Sequence, residues 1–194
     1  MNIKLTPRLL LSAYSQGIFP MADDDGEILW FAPDPRAIFD LDHFHVPKNL
    51  AKLYRQKPFE LRVDHAFAQV IDACADRHEG TWISDEIREA YIELNRIGFA
   101  HSVETWRDGE LVGGLYGVAI GGVFCGESMF HRETNASKIA LVYLVVRMRE
   151  RGFQLLDTQF TTDHLKQFNC LEIPRDEYEK RLARALEVQC AFVD

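Results

Sequence analysis

From residue 101 to residue 131 the chain reads HSVETWRDGELVGGLYGVAIGGVFCGESMFH. The pattern repeats every second residue, which on a strand puts like side chains on one face. Asp108-Gly109 interrupts the run, and Gly121-Gly122 interrupts it again. Asp-Gly between two such runs is a strong signal for a tight hairpin. An antiparallel meander is therefore predicted, and the remaining elements must bury its apolar surface.

Helices supply that cover. SDEIREAYIELNRIG (84–98) has Ser84 as its cap and Asp85 and Glu86 at the positive end of the helix dipole. Ile87, Ala90, Tyr91 and Leu94 form its inward face, and Gly98 stops it. TPRLLLSAYSQG (6–17) is a second helix, with Thr6 before Pro7. VPKNLAKLYRQK (46–57) turns Leu50 and Leu53 inward, and DHAFAQVIDACADR (64–77) takes Asp64 as its cap. ELRV (60–63) reads as a strand, and ILWFAPDPRAIF (28–39) as a short strand with turns. After the meander come a long apolar helix, ASKIALVYLVVRMRERG (136–152), a strand, FQLLDTQF (153–160), and helices in DHLKQF and PRDEYEKRLARAL. Helices, then a meander, then helix, strand and helix is an α+β order. A length of 194 residues suits one large domain or two small ones. Residues 1–60 are expected to form a smaller subdomain ahead of a main domain at 61–194.

Cys74, Cys125, Cys170 and Cys190 fit neither a zinc site nor a CxxC redox pair, so a reducing compartment is expected. The first residues, MNIKLTPRLLLSAYSQG, lack the long apolar core and cleavage site of a signal peptide. No run is long enough to cross a membrane as a helix. A cytoplasmic location is expected. The formal net charge of −8 opposes broad coating of nucleic acid but leaves room for a local basic patch. KNLAKLYRQK (48–57) and VRMRERG (146–152) are two such stretches, although taken alone each reads more readily as a solvated helix face.

Several residues carry chemistry out of keeping with their neighbours. Asp157 and Gln159 stand two apart at the end of a strand that starts apolar, a place where sites commonly form and where an acid also pairs locally. Glu127 lies among large apolar groups in FCGESMF, where a carboxylate is costly unless it is paired or faces a ligand. Trp82 in EGTWIS precedes a capped helix and reads either as core or as a stacking surface for a base. The glycines of GGLYGVAIGG sit inside a hairpin pattern and imply close packing or backbone approach to a ligand. The seven histidines show no metal-ligand spacing, and no P-loop, GxSxG or GxGxxG motif is present.

AYSQGIFPM (13–21), LWFAPDPRAIF (29–39), EGTWIS (79–84), HSVETW (101–106), ELVGGLYGV (110–118), FCGESMFHRETNASK (124–138), LLDTQ (155–159) and EIPRDEY (172–178) together resemble the leucyl/phenylalanyl-tRNA–protein transferases of bacteria. They follow family order over nearly the whole chain. The resemblance implies a GNAT-like C-terminal domain behind a smaller N-terminal one. It also implies an aminoacyltransferase that moves leucine or phenylalanine from tRNA to the α-amine of a protein beginning with Arg or Lys. The product is an N-degron, no metal or coenzyme takes part, and a monomer is expected.

Carried over by position, the resemblance assigns catalysis to Asp157 and Gln159. It lines the side-chain pocket with Leu115, Phe124, Leu141, Leu144, Met148 and Leu156, and sets Gly126 and Glu127 beside the amino-acid moiety. Trp82 falls at a position associated with the terminal adenosine, and Lys48, Lys52 and Arg55 would hold tRNA phosphates. Met21 stands where the family pattern has Trp, Leu144 and Met148 stand where it has Phe, and the chain starts later than longer members. Two rivals remain: a GNAT N-acyltransferase using acyl-CoA, and a reader that binds N-terminal Arg or Lys without modifying it. The first lacks a glycine-rich turn in ESMFHRETNASKIAL (127–141).

Overall fold

A computed structural model describes residues 4–77 and 80–194, so His78 and the Glu79 that opens EGTWIS lie outside it. Helix α1 (Pro7–Tyr14) begins at Thr6, whose Oγ1 accepts the Leu9 N–H at 3.2 Å. Strands β1 (Phe19–Ala22) and β2 (Ile28–Phe31) pair as a separate antiparallel hairpin. The main sheet holds β3 (Arg36–Phe39), β4 (Glu60–Val63), β5 (Ala100–Arg107), β6 (Glu110–Ile120), β7 (Val123–His131), β8 (Leu155–Gln159) and β9 (Leu171–Ile173). Its order is β4-β5-β6-β7-β8-β3-β9, antiparallel everywhere except between β7 and β8. The meander is thus β5–β6–β7, with turns at Asp108-Gly109 and Gly121-Gly122.

Helix α5 (Ala136–Arg151) crosses from β7 to the parallel strand β8 and covers one face of the sheet with α2 (Lys48–Gln56). The other face is covered by α1, α3 (Phe67–Ala75), α4 (Asp85–Arg96) and α7 (Arg175–Leu186). A short α6 (Asp163–Lys166) follows β8. The mixed α+β architecture, with a small hairpin unit at the N-terminus, agrees with the expected fold class. Strand β3 comes from the first 60 residues yet is hydrogen-bonded between β8 and β9, so the two expected domains share one sheet.

Long-range contacts override two local readings and decide between the alternatives of a third. Asp64 does not cap α3. It has φ +54°, and its carboxylate accepts the Ser102 N–H at 2.7 Å and meets His101 Nδ1 at 2.6 Å. The buried Glu104 holds the entry to α3 instead, accepting the Ala66 N–H at 2.7 Å. The arginines of VRMRERG are used internally: Arg147 donates to the Phe192 carbonyl, Arg149 to the Leu41 carbonyl, and Arg151 pairs with Asp194. The glycines of β6 serve close packing. A Cβ on Gly113 would fall 2.5 Å from the Ala136 Cβ, and one on Gly117 would fall 2.3 Å from the Cys125 carbonyl oxygen. Gly113 therefore lets the first turn of α5 rest against the sheet.

Candidate active site

Strands β7 and β8 pair only as far as Cys125 and Asp157. Beyond that point β7 continues to His131 along β6, while β8 runs on to Gln159. A cavity of about 420 Å³ is lined by residues of both strands, α5 and α6. The β6–β7 ladder skips one residue here: Tyr116 faces Ser128 and Gly117 faces Gly126, leaving Glu127 without a partner. Such a bulge re-aims the extra side chain, and Glu127 lines the cavity. Gln159 ends β8 at φ +59°, which frees its side chain from the strand's two-residue alternation.

Gln159 Nε2 donates to Glu127 Oε1 at 2.9 Å, and the Gln159 side-chain oxygen, Oε1, has no partner among the described residues. Glu127 also meets the Tyr91 hydroxyl, which bonds that of Tyr14. The Glu127 carboxyl is pushed up to about 8. Burial is the main cause. The charge of Asp157 adds to it, and hydrogen bonds from Tyr14 and Gln159 and the charge of Arg36 oppose it.

Asp157 is completely buried and does not line the cavity. Arg36 grips it in a fork, Nε to Oδ1 at 2.9 Å and Nη2 to Oδ2 at 2.6 Å. The Tyr178 hydroxyl donates to Oδ2 at 2.8 Å and the Gln159 main-chain N–H to Oδ1 at 2.9 Å. Those donors fill the acceptor sites of a carboxylate. Asp157 thus contacts Gln159 through the backbone; the carboxamide goes to Glu127. Arg36 in turn donates to the Gly17 carbonyl and lies over the rings of Phe19 and Tyr178. This clamp ties β3, β8 and α7 together behind the cavity.

Leu115, Leu141, Leu144 and Leu156 make the apolar wall, and Gly126 and Trp82 also line it. Phe124 and Met148 do not line it; both are fully buried behind the wall. Trp82 borders a smaller recess with Met21, Phe19 and Phe160, and its carbonyl accepts the Ala22 N–H at 3.1 Å. Lys48, Lys52 and Arg55 lie three and four apart on α2, all exposed, with no ion pair among the described residues. That helix is not part of the cavity wall.

Sequence reasoning alone misses Arg36, Tyr178 and Tyr14 as parts of this assembly, although each lies in a quoted motif. Tyr91 reads as plain core because it occupies the buried face of α4, where its ring does sit. Among the described residues no group of three or more His, Cys, Asp or Glu is arranged to hold a metal ion, and no helix is long and apolar enough to cross a membrane.

Comparison with known proteins converges on one family. Residues 38–183 match the model for "Leucyl/phenylalanyl-tRNA protein transferase", and residues 4–34 match its N-terminal domain. A leucyl/phenylalanyl-tRNA–protein transferase of Gloeobacter violaceus is 58% identical over 193 residues, covering 99% of this chain and 100% of that one. One from Salinibacter ruber is 55% identical and covers 95% of this chain and 81% of its own length. Among solved structures, L-PGS from Bacillus licheniformis aligns over 82% of this chain and 54% of that chain, at 16% identity and a TM-score of 0.41.

Proposed function

The chain belongs to the leucyl/phenylalanyl-tRNA–protein transferase family, and on that premise we propose that it moves leucine or phenylalanine from tRNA to the α-amine of proteins beginning with Arg or Lys. The observation that carries this reading is an apolar cavity that ends at the Gln159 carboxamide and the Glu127 carboxyl. The apolar wall accepts the side chain of the donor amino acid. The recess between Met21 and Trp82 accepts the terminal adenosine, with Trp82 as the stacking face. The reaction marks its product for degradation, takes place in the cytoplasm, and needs one copy of the chain and no coenzyme.

The aminoacyl ester is already activated, so the enzyme has to align amine and ester, which contributes up to roughly 7–11 kcal/mol. The Gln159 carbonyl oxygen orients the incoming amine. The amine attacks the ester carbonyl, a C–N bond forms, and the C–O bond to the ribose breaks. Glu127, held near the pKa of an α-amine at about 8, takes the amine proton and returns it to the departing ribose hydroxyl. Asp157 has its oxygens occupied and acts by fixing the end of β8.

The direct test is transfer of labelled leucine from tRNA to a peptide starting with Arg. Incorporation at the N-terminus supports the reading. Peptide binding without transfer would favour a reader, and acylation from acyl-CoA would favour the other rival. The α2 patch makes a separate expectation. Changing Lys48, Lys52 and Arg55 together to Ala should weaken tRNA binding for all tRNA sequences and flatten the log Kd against log salt slope by about 2–3. An unchanged slope would take α2 out of the tRNA footprint.

A further inference from the structure

The α5 side of the cavity carries polar groups that the transfer chemistry leaves unused. Ser137, Leu141 and Leu144 share one face of α5 and all line the cavity, so this wall is polar at the first turn and apolar beyond it. Ser137 is only 3% exposed, yet neither its hydroxyl nor its main-chain N–H has a hydrogen-bond partner among the described residues. The Lys138 N–H is equally unpaired there. Asn135 precedes the helix in a left-handed conformation with no side-chain cap, and the first turn contains no acidic residue. Helices of this length usually have those N–H groups capped. His131 at the end of β7 and His164 on α6 line the same cavity. His164 Nε2 is shut off from solvent without a partner among the described residues.

We propose that these groups form a phosphodiester site, which receives the phosphate joining the terminal adenosine of the donor tRNA to the nucleotide before it. The inference rests on the transfer reading above. The site offers hydroxyl and amide donors at a helix N-terminus, a combination that suits the several acceptor oxygens of a phosphate. Two imidazoles add donors, and Lys138, which does not line the cavity and whose Nζ donates to Gln167 Oε1 at 3.0 Å, adds positive charge felt at His164. The adenosine recess at Trp82 and the apolar wall open into the same cavity, so one donor end can place base, amino acid and phosphate together.

The experiment compares two small donors, 3′-O-leucyl-adenosine and its 5′-phosphorylated form, by kcat/KM for transfer to an Arg-starting peptide. The native protein should favour the phosphorylated donor by about tenfold, the size of one charge-assisted contact. Ser137→Asp puts a carboxylate at the site while suiting a helix first turn; it should abolish that preference and leave the phosphate-free donor within about threefold. His164→Gln should shrink the preference and serves as the second variant. No preference in the native protein, or an undiminished preference in both variants, overturns the site. Equal losses with both donors would instead assign these groups to the oxyanion or to folding, and also overturn it. Leucyl-tRNA is the control: transfer from tRNA with neither small donor used overturns this site alone, and no transfer from tRNA overturns the transfer reading.

Discussion

Arg36→Met should cost about 3–5 kcal/mol of stability, because it strips a fully buried carboxylate of its forked partner. Urea unfolding at neutral pH would measure it. Removing both charges, as Arg36→Met with Asp157→Leu, should recover most of the loss, since a buried pair replaced by apolar groups of similar volume is often neutral. The comparison separates stability from chemistry. If Asp157 fixes the end of β8 for catalysis, the folded double variant will still lose transfer, because nothing then accepts the Gln159 N–H. Full transfer by the double variant would reduce the clamp to scaffolding. Asp157→Ala alone is a poor probe, since it leaves Arg36 buried and uncompensated. Asp157→Asn shares that fault and turns an NH2 group toward an Arg36 N–H, so the double variant is the cleaner probe.

Arg36 also marks where sequence reading stops. The meander, α4 and α5 were legible because their signals are local: an Asp-Gly turn, a Ser cap, apolar periodicity and a terminal glycine. The Arg36–Asp157 pair spans 121 residues and two adjacent antiparallel strands, and no local rule links them. Strand β9 is three residues long, and β3 sits in a proline-broken stretch, so neither has room for a two-residue pattern. Glu127 looked like a costly acid in an apolar strand, which it is. Its bulge was invisible, because a skipped ladder position depends on the register of β6 against β7. Phe124 and Met148 share with Leu144 and Leu156 the apolar character expected of a pocket. Only the layering of α5 on the sheet decides which side chains form the wall and which stand behind it.

Glu127→Gln should lower transfer by about 10²–10⁴-fold if Glu127 moves the amine proton, while donor binding stays intact. The wild-type rate should rise with pH toward about 8, as Glu127 ionises. An α-amine loses its proton in the same range, so the variant should keep only the part of the profile that belongs to the amine. Stability gives a readout independent of activity. The folded carboxyl binds its proton up to about 8 against an ordinary value of 4.5. Between those two values the folded state holds more protons than the unfolded one, and stability falls as pH rises. The Glu127 contribution is therefore fully present below about 4.5, and its loss is complete above about 8. Gln mimics the neutral acid, so the variant should match the wild type at low pH and exceed it by a few kcal/mol above pH 8. A wild-type stability curve parallel to that of the variant would place the Glu127 proton in the ordinary carboxylate range. Glu127 would then be a fixed anion that steers the acceptor amine, and the proton would have to leave through water or the ribose.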